Sequence, residues 1–129
     1  MRMKTPVVLV VEDYPFTREM MCLLLGILGY DVLAAETGER AVALARENKP
    51  DMVLMDINLP DMDGFQAASL IRRQPSNKKV PIIACTALNR IDWHTQALNA
   101  GCNDLICKPL NFDELEQLLH SYAPLSGAA

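Results

Sequence analysis

The sequence has no dense run of basic residues, and this absence argues against a nucleic-acid-binding domain. It carries 12 Lys and Arg against 16 Asp and Glu, a formal net charge of −4 at pH 7. Proteins that bind a phosphate backbone usually cluster their positive charge. Here the longest basic runs are pairs, Arg72-Arg73 and Lys78-Lys79. We therefore expect partners other than nucleic acid.

Long apolar runs are also missing. The longest apolar stretch, residues 20–30, is interrupted by Gly26 and Gly29, and it is much shorter than the ~20 residues that a transmembrane helix needs. The apolar run at 7–11 is followed at once by Glu12 and Asp13, so it does not match the apolar region of a signal peptide. We therefore expect a cytoplasmic protein whose domain makes no membrane contact.

The cysteines show no spacing typical of a metal or redox site. None of the four is part of a CxxC pair, and two lie in apolar runs. Free cysteine is most often a small buried apolar residue, so we expect reduced core thiols. The four residues are Cys22, Cys85, Cys102 and Cys107.

Length and composition predict one globular domain. A chain of 129 residues that is 50% hydrophobic and 22% charged is long enough to bury a core without disulfides or metals. Proline, serine, glycine and alanine dominate only the C-terminal end. We expect a single domain over residues 1–129, with a core at about 6–122 and a loose tail at 123–129.

Short apolar runs alternate with helical patterns along the chain. Such alternation is typical of an α/β protein in which helices cover both faces of a parallel sheet. Thr37 and Asn111 stand where they can cap the second and fifth helices. The predicted strands are 7–11, 31–35, 52–55, 80–85 and 105–107, and the predicted helices are 16–28, 38–48, 64–73, 91–100 and one that follows residue 111.

Four of the five predicted strands end in a charged or hydroxyl-bearing side chain. Glu12 and Asp13 follow the first strand, Asp56 the third, Thr86 the fourth and Lys108 the fifth. The carboxyl ends of parallel strands lie at one edge of the sheet, where open α/β sheets bind their ligands. Taken singly, each residue has an ordinary explanation as a helix cap, a turn residue or a solvated lysine.

Taken together, these residues describe a phosphoryl-transfer site. Carboxylates at Glu12, Asp13 and Asp56 would repel one another unless a cation joined them. An oxygen-only ligand set suits Mg²⁺, which keeps several waters and needs few protein ligands. One carboxylate would then be the nucleophile, while the metal, the ammonium of Lys108 and the hydroxyl of Thr86 stabilise the phosphoryl oxygens.

Four segments carry a resemblance to a known family. They are Val-Val-Glu-Asp at 10–13, Leu-Met-Asp-Ile-Asn-Leu-Pro-Asp-Met-Asp-Gly-Phe at 54–65, Pro-Ile-Ile-Ala-Cys-Thr-Ala at 81–87 and Lys-Pro-Leu at 108–110. With them the sequence resembles response-regulator receiver domains of two-component signalling, and it looks most like receivers of hybrid sensor histidine kinases. The resemblance implies a flavodoxin-like, doubly wound, five-stranded parallel sheet in the order 2-1-3-4-5, with helices on both faces.

The resemblance also implies a reaction. Asp56 would be the phosphoacceptor, taking a phosphoryl group from the phosphohistidine of a sensor histidine kinase or a histidine phosphotransfer protein. Thr86 and Lys108 would each contact a phosphoryl oxygen, and the Lys108-Pro109 peptide would be cis. Such a chain accepts the phosphoryl group on itself, so it is not a turnover enzyme, and autodephosphorylation is a side activity.

The same resemblance implies a Mg²⁺ site. Asp13 and Asp56 would bind the ion directly, together with the backbone carbonyl of Asn58. Glu12 would act through a water molecule. Mg²⁺ is therefore the expected cofactor.

One position departs from the family pattern. Three residues before the lysine, these receivers usually carry a Tyr or Phe that turns inward when the threonine moves, whereas this chain has Leu105. A leucine has no ring or hydroxyl to bury. The departure puts the aromatic-coupled switch in question but leaves the phosphorylation chemistry intact.

The first helix carries two apolar faces. One face, formed by residues 21, 24, 25 and 28, suffices to cover the sheet. The second face, which we call the α1 stripe, consists of Phe16, Met20, Leu23 and Ile27. We expect part of the α1 stripe to remain exposed and to dock a helical bundle that carries the donor histidine.

Three other functions compete with a phosphoacceptor. A degenerate receiver used as a protein-binding scaffold has no need of an intact set of site residues. An aspartate-nucleophile phosphatase usually shows Asp-x-Asp where this chain has Asn58 as its third residue, and it needs a cap domain. A flavodoxin-like cofactor binder would place a Ser/Thr/Gly phosphate loop where Glu12-Asp13-Tyr14-Pro15 stands, and those carboxylates repel phosphate.

Overall fold

The computed structural model describes residues 5–87 and 91–125. In this part of the chain, five parallel strands form a sheet in the order β2-β1-β3-β4-β5. The predicted strand order and fold class are therefore confirmed. The strands are β1 Val7–Val11, β2 Asp31–Ala35, β3 Met52–Asp56, β4 Ile82–Thr86 and β5 Asp104–Cys107.

Five helices connect and follow the strands. They are α1 Pro15–Ile27, α2 Gly38–Asn48, α3 Gly64–Arg72, α4 Ile91–Ala100 and α5 Phe112–Tyr122, with a single 3₁₀ turn at Pro75–Asn77 after α3. Both predicted caps are confirmed. The side-chain oxygen of Thr37 accepts a hydrogen bond from Arg40 N at 3.0 Å, and that of Asn111 accepts one from Glu114 N at 2.6 Å.

The helices cover the two faces of the sheet unequally. One apolar cluster joins the sheet to α2, α3 and α4, and the other joins it to α1 and α5. Every residue of β3 and β4 is buried, which explains their continuous apolar sequences, because a central parallel strand is covered on both faces. Leu105 is buried in the cluster with α2, α3 and α4.

Element boundaries differ from the prediction by one or two residues. β4 begins at Ile82, not at residue 80, and it includes Thr86. Pro81 precedes it because proline has no N–H for the strand ladder, although its carbonyl accepts a hydrogen bond from Val53 N at 2.8 Å. α1 begins one residue early, at Pro15, since proline is favoured at the first helical position.

The C-terminal end of the described chain is packed on the sheet's α1–α5 side. Ala123 is buried, and its carbonyl accepts a hydrogen bond from the hydroxyl of Tyr30 at 2.7 Å. The packed structure thus extends one residue beyond the predicted core. Of the predicted tail, residues 124 and 125 are exposed, and residues 126–129 lie outside the described residues.

All four cysteines are free thiols. Cys85 and Cys102 are buried, whereas Cys22 and Cys107 are half-buried. Burial raises the pKa of Cys85 to about 12 and that of Cys102 to about 11. These values favour the protonated, unreactive form of both thiols at neutral pH.

Over the described residues, the structure contains no helix with the length and apolar character needed to cross a bilayer.

Candidate functional site

Three carboxylates meet at the carboxyl edge of the sheet. Glu12 and Asp13 follow β1, and Asp56 is the last residue of β3. Carboxylate oxygens of the three residues all lie within 4.8 Å of one another. Glu12 is 2% exposed and Asp56 5% exposed, whereas Asp13 faces solvent. The parallel pairing of β1 with β3 brings these groups together, as the sequence predicted.

Lys108 lies directly against this cluster. Its Nζ is 3.2 Å from Oδ2 of Asp56 and also forms a short contact with Oε1 of Glu12. The Lys108 backbone N–H donates to the carbonyl of Thr86 at 2.6 Å, and the Lys108-Pro109 peptide is cis. The side chain is 22% exposed, so Lys108 is not a solvated surface lysine.

Burial and charge oppose each other in this cluster. Burial, together with the hydrogen bond to Glu12, raises the pKa of Asp56 to about 6 although Lys108 acts in the opposite direction. Burial also tends to raise the pKa of Glu12, but hydrogen bonds with Lys108 and Asp56 outweigh it and leave that pKa below its usual value. Burial tends to lower the pKa of Lys108, and the two carboxylates outweigh it and raise that pKa.

Backbone groups close the site on the β3 side. The N–H of Asn58 donates to Oδ1 of Asp56 at 3.1 Å. Gly64, the first residue of α3, approaches the strand so closely that a Cβ there would lie 2.2 Å from the carbonyl oxygen of Asp56. Its N–H donates to the Ile57 carbonyl at 2.7 Å. Only glycine fits at this position, and its small size lets α3 pack against the end of β3.

Thr86 occupies the neighbouring strand end. It is fully buried as the last residue of β4, and β4 pairs directly with β3 so that Cys85 stands opposite Asp56. Five of the six predicted site residues thus stand at the carboxyl ends of β1, β3, β4 and β5, and the sixth, Asn58, lies two residues beyond the end of β3.

Arg18 is a contributor that the sequence did not reveal. Its Nη1 donates to the carbonyl of Glu12 at 3.0 Å and to that of Asp13 at 3.3 Å. These bonds tie the first turns of α1 to the chain segment that presents two of the carboxylates. The available signal was a basic residue five to six positions beyond an acidic pair.

The residues present fit a hard divalent cation. Three carboxylate groups converge from two strand ends, and their oxygen donors are the type that Mg²⁺ prefers. The ammonium of Lys108 partly balances their charge. An arrangement of this kind can neutralise a phosphoryl group beside a carboxylate nucleophile.

The α1 stripe is exposed, as predicted. Phe16, Met20, Leu23 and Ile27 are between 44% and 68% exposed, whereas Met21 and Leu25 on the other face of α1 are buried. A groove of about 460 Å³ lies beside the stripe and reaches the loop that follows β5. Its lining residues include Phe16, Met20, Leu24, Lys108, Pro109 and Leu110.

Three aromatic or imidazole side chains lie outside the site. His94 and His120 are exposed on α4 and α5. Trp93 is half-buried, and its ring meets that of Phe65 edge-on with 6.0 Å between centroids. This contact supports packing between α3 and α4 as the role of Trp93.

Comparisons with known proteins agree with the geometry. The chain is 36% identical to the signal transduction histidine-protein kinase BarA of Escherichia coli over 120 residues, which are 93% of this chain and 13% of that kinase. It therefore spans about an eighth of that relative's length. This similarity confirms the predicted resemblance to receivers of histidine kinases.

Solved structures show the same fold. The receiver domain of sensor histidine kinase PA1611 from Pseudomonas aeruginosa, with a magnesium ion in its active site cleft, superimposes with a TM-score of 0.85 at 36% identity, covering 92% of this chain and 98% of that one. Chemotaxis protein CheY4 of Vibrio cholerae superimposes with a TM-score of 0.89 at 28% identity, covering 92% of this chain and 99% of that one. The family model for the response regulator receiver domain matches residues 8–120. The chain therefore belongs to the response regulator receiver domain family.

Proposed function

We propose that this receiver takes a phosphoryl group from phosphohistidine onto Asp56. The observation that carries the proposal is the convergence on Asp56 of two further carboxylates and the Lys108 ammonium, which lies 3.2 Å from Oδ2 of Asp56. A nucleophilic carboxylate among groups that neutralise phosphoryl oxygens is the arrangement that phosphoryl transfer needs.

In the proposed step, a carboxylate oxygen of Asp56 attacks phosphorus. The new P–O bond forms as the P–N bond to the donor histidine breaks, and the imidazole leaves with the electron pair and takes up a proton. Lys108 contacts one phosphoryl oxygen through its ammonium, and the Thr86 hydroxyl donates to another. Both groups stabilise negative charge that the attack brings next to a carboxylate.

Mg²⁺ is the proposed cofactor, and when bound it would offset the charge of the carboxylates and the incoming phosphoryl group. Asp13, Asp56 and the Asn58 carbonyl would hold it directly, and Glu12 would act through water. The three-carboxylate cluster and the magnesium reported for the PA1611 receiver support this assignment.

A receiver of this kind is altered by its own reaction. The acyl phosphate forms on the chain itself, so the protein is a phosphoacceptor. Hydrolysis of that acyl phosphate is a slow side activity. We propose one receiver domain over residues 1–129, which the two apolar clusters on one sheet support. A cytoplasmic location stays a prediction.

The proposed partner is a sensor histidine kinase or a histidine phosphotransfer protein. It would dock a helical bundle on the α1 stripe, near Phe16, Met20 and Leu23. The exposed stripe and the adjoining groove at Lys108 support this site, because a docked histidine must reach Asp56.

Phosphorylation with acetyl phosphate tests the proposal without a protein partner. We expect intact-mass spectrometry to show the addition of one phosphoryl group in the presence of Mg²⁺ and none with EDTA. Asp56→Asn should abolish the addition, and Asp13→Asn should require more Mg²⁺. Equal labelling of Asp56→Asn would show that Asp56 is not the acceptor.

A further inference from the structure

The side chain of Asp61, in the loop between β3 and α3, accepts hydrogen bonds from the amino end of α2. Oδ1 of Asp61 accepts a hydrogen bond from Gly38 N at 2.8 Å, and Oδ2 accepts one from Glu39 N at 2.9 Å. These amides are the first two of α2, where backbone N–H groups have no partner within the helix. The third, that of Arg40, bonds instead to Thr37.

A second contact reinforces this attachment. Met62 packs so closely over Gly38 that a Cβ on Gly38 would lie 2.5 Å from Cγ of Met62. The helix dipole also favours a carboxylate at this end of α2, and the two backbone bonds lower the pKa of Asp61, which keeps it ionised. The tip of the loop is therefore held by both charge and packing.

The base of the same loop carries Asn58, whose backbone carbonyl is a proposed Mg²⁺ ligand. Asn58 and Asp63 form an antiparallel bridge, and Asn58 N donates to the Asp56 carboxylate. The side chain of Asp63 caps α3 through Gln66 N at 2.8 Å. Among the described residues, Asp61 makes side-chain hydrogen bonds from this segment to α2, while Leu59 and Met62 pack against the apolar cluster that includes α2 residues. Loss of Asp61 would therefore remove a polar attachment of the loop on that side.

We propose that Asp61 is a positioning residue for the Mg²⁺ site. By bonding to the amino end of α2, it holds the β3–α3 loop in the conformation that presents the Asn58 carbonyl to the ion. Asp61 acts through Asn58 and does not touch the ion or the phosphoryl group. The inference rests on the proposed function, because it assumes that Asn58 is a ligand.

Thr37 offers a matched control for the test. Thr37→Ala and Asp61→Ala each remove side-chain acceptors from the amino end of α2, and both should lower the melting temperature of the metal-free protein. Only Asp61→Ala also removes the hydrogen bonds that attach the loop to α2. Loss of a group that orients a metal ligand typically weakens metal binding by about 10- to 100-fold.

The experiment is a Mg²⁺ titration of the whole chain, followed by calorimetry or by the rise in melting temperature with metal concentration. We expect Asp61→Ala to weaken Mg²⁺ binding about tenfold and Thr37→Ala to leave it within about twofold of wild type. Asp61→Asn retains one acceptor, so its Mg²⁺ affinity should lie between those of Asp61→Ala and wild type. If Asp61→Ala does not fold, weaker Mg²⁺ binding by Asp61→Asn than by Thr37→Ala supports the inference, and equal binding overturns it.

Labelling with acetyl phosphate separates positioning from catalysis. At saturating Mg²⁺, Asp61→Ala should label Asp56 at the wild-type rate, since the deficit lies in metal affinity. Equal Mg²⁺ affinity of Asp61→Ala and wild type, or an equal loss in Thr37→Ala, would overturn the inference. Failure of the wild-type chain to bind Mg²⁺ would instead overturn the proposed function.

Discussion

Lys108 bridges two carboxylates, with Nζ 3.2 Å from Oδ2 of Asp56 and in short contact with Glu12. The ammonium therefore occupies oxygens that the proposed metal site also uses. In the metal-free protein it partly neutralises a cluster that would otherwise carry three adjacent negative charges. The same group is in place to contact a phosphoryl oxygen on Asp56.

Lys108→Met should separate these two roles. Labelling by acetyl phosphate should slow about 100-fold, the usual cost of losing one group that stabilises charge in the transition state. Mg²⁺ should bind more tightly, because the ammonium no longer competes for the carboxylates. Single-turnover labelling and metal titration measure the two effects, and an unchanged labelling rate would leave Lys108 with a structural role only.

Asp56→Asn should stabilise the metal-free protein at neutral pH. Burial raises the pKa of Asp56 to about 6, so the folded state binds the proton more tightly than the unfolded state does. The stability that this proton supplies is complete below the ordinary pKa of about 4 and is lost as the pH rises through 6. The charged Asp56 carboxylate therefore lowers the free energy of unfolding at pH 7.5.

Urea unfolding in EDTA measures this cost. We expect Asp56→Asn to raise the free energy of unfolding by on the order of 2 kcal/mol at pH 7.5, with the difference shrinking towards zero at pH 4. Millimolar Mg²⁺ should stabilise wild type more than the variant. A variant less stable than wild type at pH 7.5 without metal would contradict the prediction.

Local sequence signals explain why so much of the fold could be predicted. The continuous apolar runs of β1 and β3 follow from burial on both faces, and the caps Thr37 and Asn111 act within a few residues of themselves. Parallel topology then places the strand ends on one edge. The site residues at the strand ends follow from these two facts together, whereas the role of the Asn58 carbonyl came from the family resemblance alone.

The remaining features depend on contacts that no local pattern encodes. Asp61 reaches amides 22 and 23 positions away in the sequence, and Lys108 reaches a carboxylate 96 positions away. Arg18 acts on backbone carbonyls, which any sequence offers equally. Such contacts depend on loop conformation and side-chain rotamers, so they become visible only in three dimensions.

Arg72 should contribute to the stability of the fold and not to the chemistry at Asp56. Its guanidinium donates twice to the Gly101 carbonyl, at 3.0 and 2.6 Å, and also to the carbonyls of Asn77 and Lys78. It thus joins the end of α3 to the loop before β5. Arg72→Met leaves these acceptors unpaired and should cost about 1–3 kcal/mol in the free energy of unfolding.

Arg73→Met is the matched control for that measurement. Arg73 is the exposed neighbour of Arg72, and a surface substitution there should stay within about 0.5 kcal/mol of wild type. Urea unfolding at pH 7.5 compares the two variants. Equal stability of both would mean that the Arg72 bonds contribute no more than the water contacts that replace them.

The α1 stripe should matter for transfer from a protein donor and not for the chemistry at Asp56. Met20 is 44% exposed on α1, so Met20→Asp places a charge on the proposed docking surface without disturbing the core. We expect transfer from a phosphorylated histidine donor to slow about tenfold or more, the effect of losing an interface contact worth over 1 kcal/mol. Labelling by acetyl phosphate should be unchanged.

Leu98→Asp controls for the added charge and the lost apolar surface. Leu98 is exposed on α4, which packs on the opposite face of the sheet from α1. We expect Leu98→Asp to accept the phosphoryl group from the donor at the wild-type rate, because in the proposed docking the donor histidine approaches Asp56 from the side of α1 and the loop at Lys108. Equal loss of both reactions in Met20→Asp would mean that the substitution disturbs the fold and not docking alone. Equal slowing of transfer in Leu98→Asp would mean that charge alone, and not this surface, governs docking.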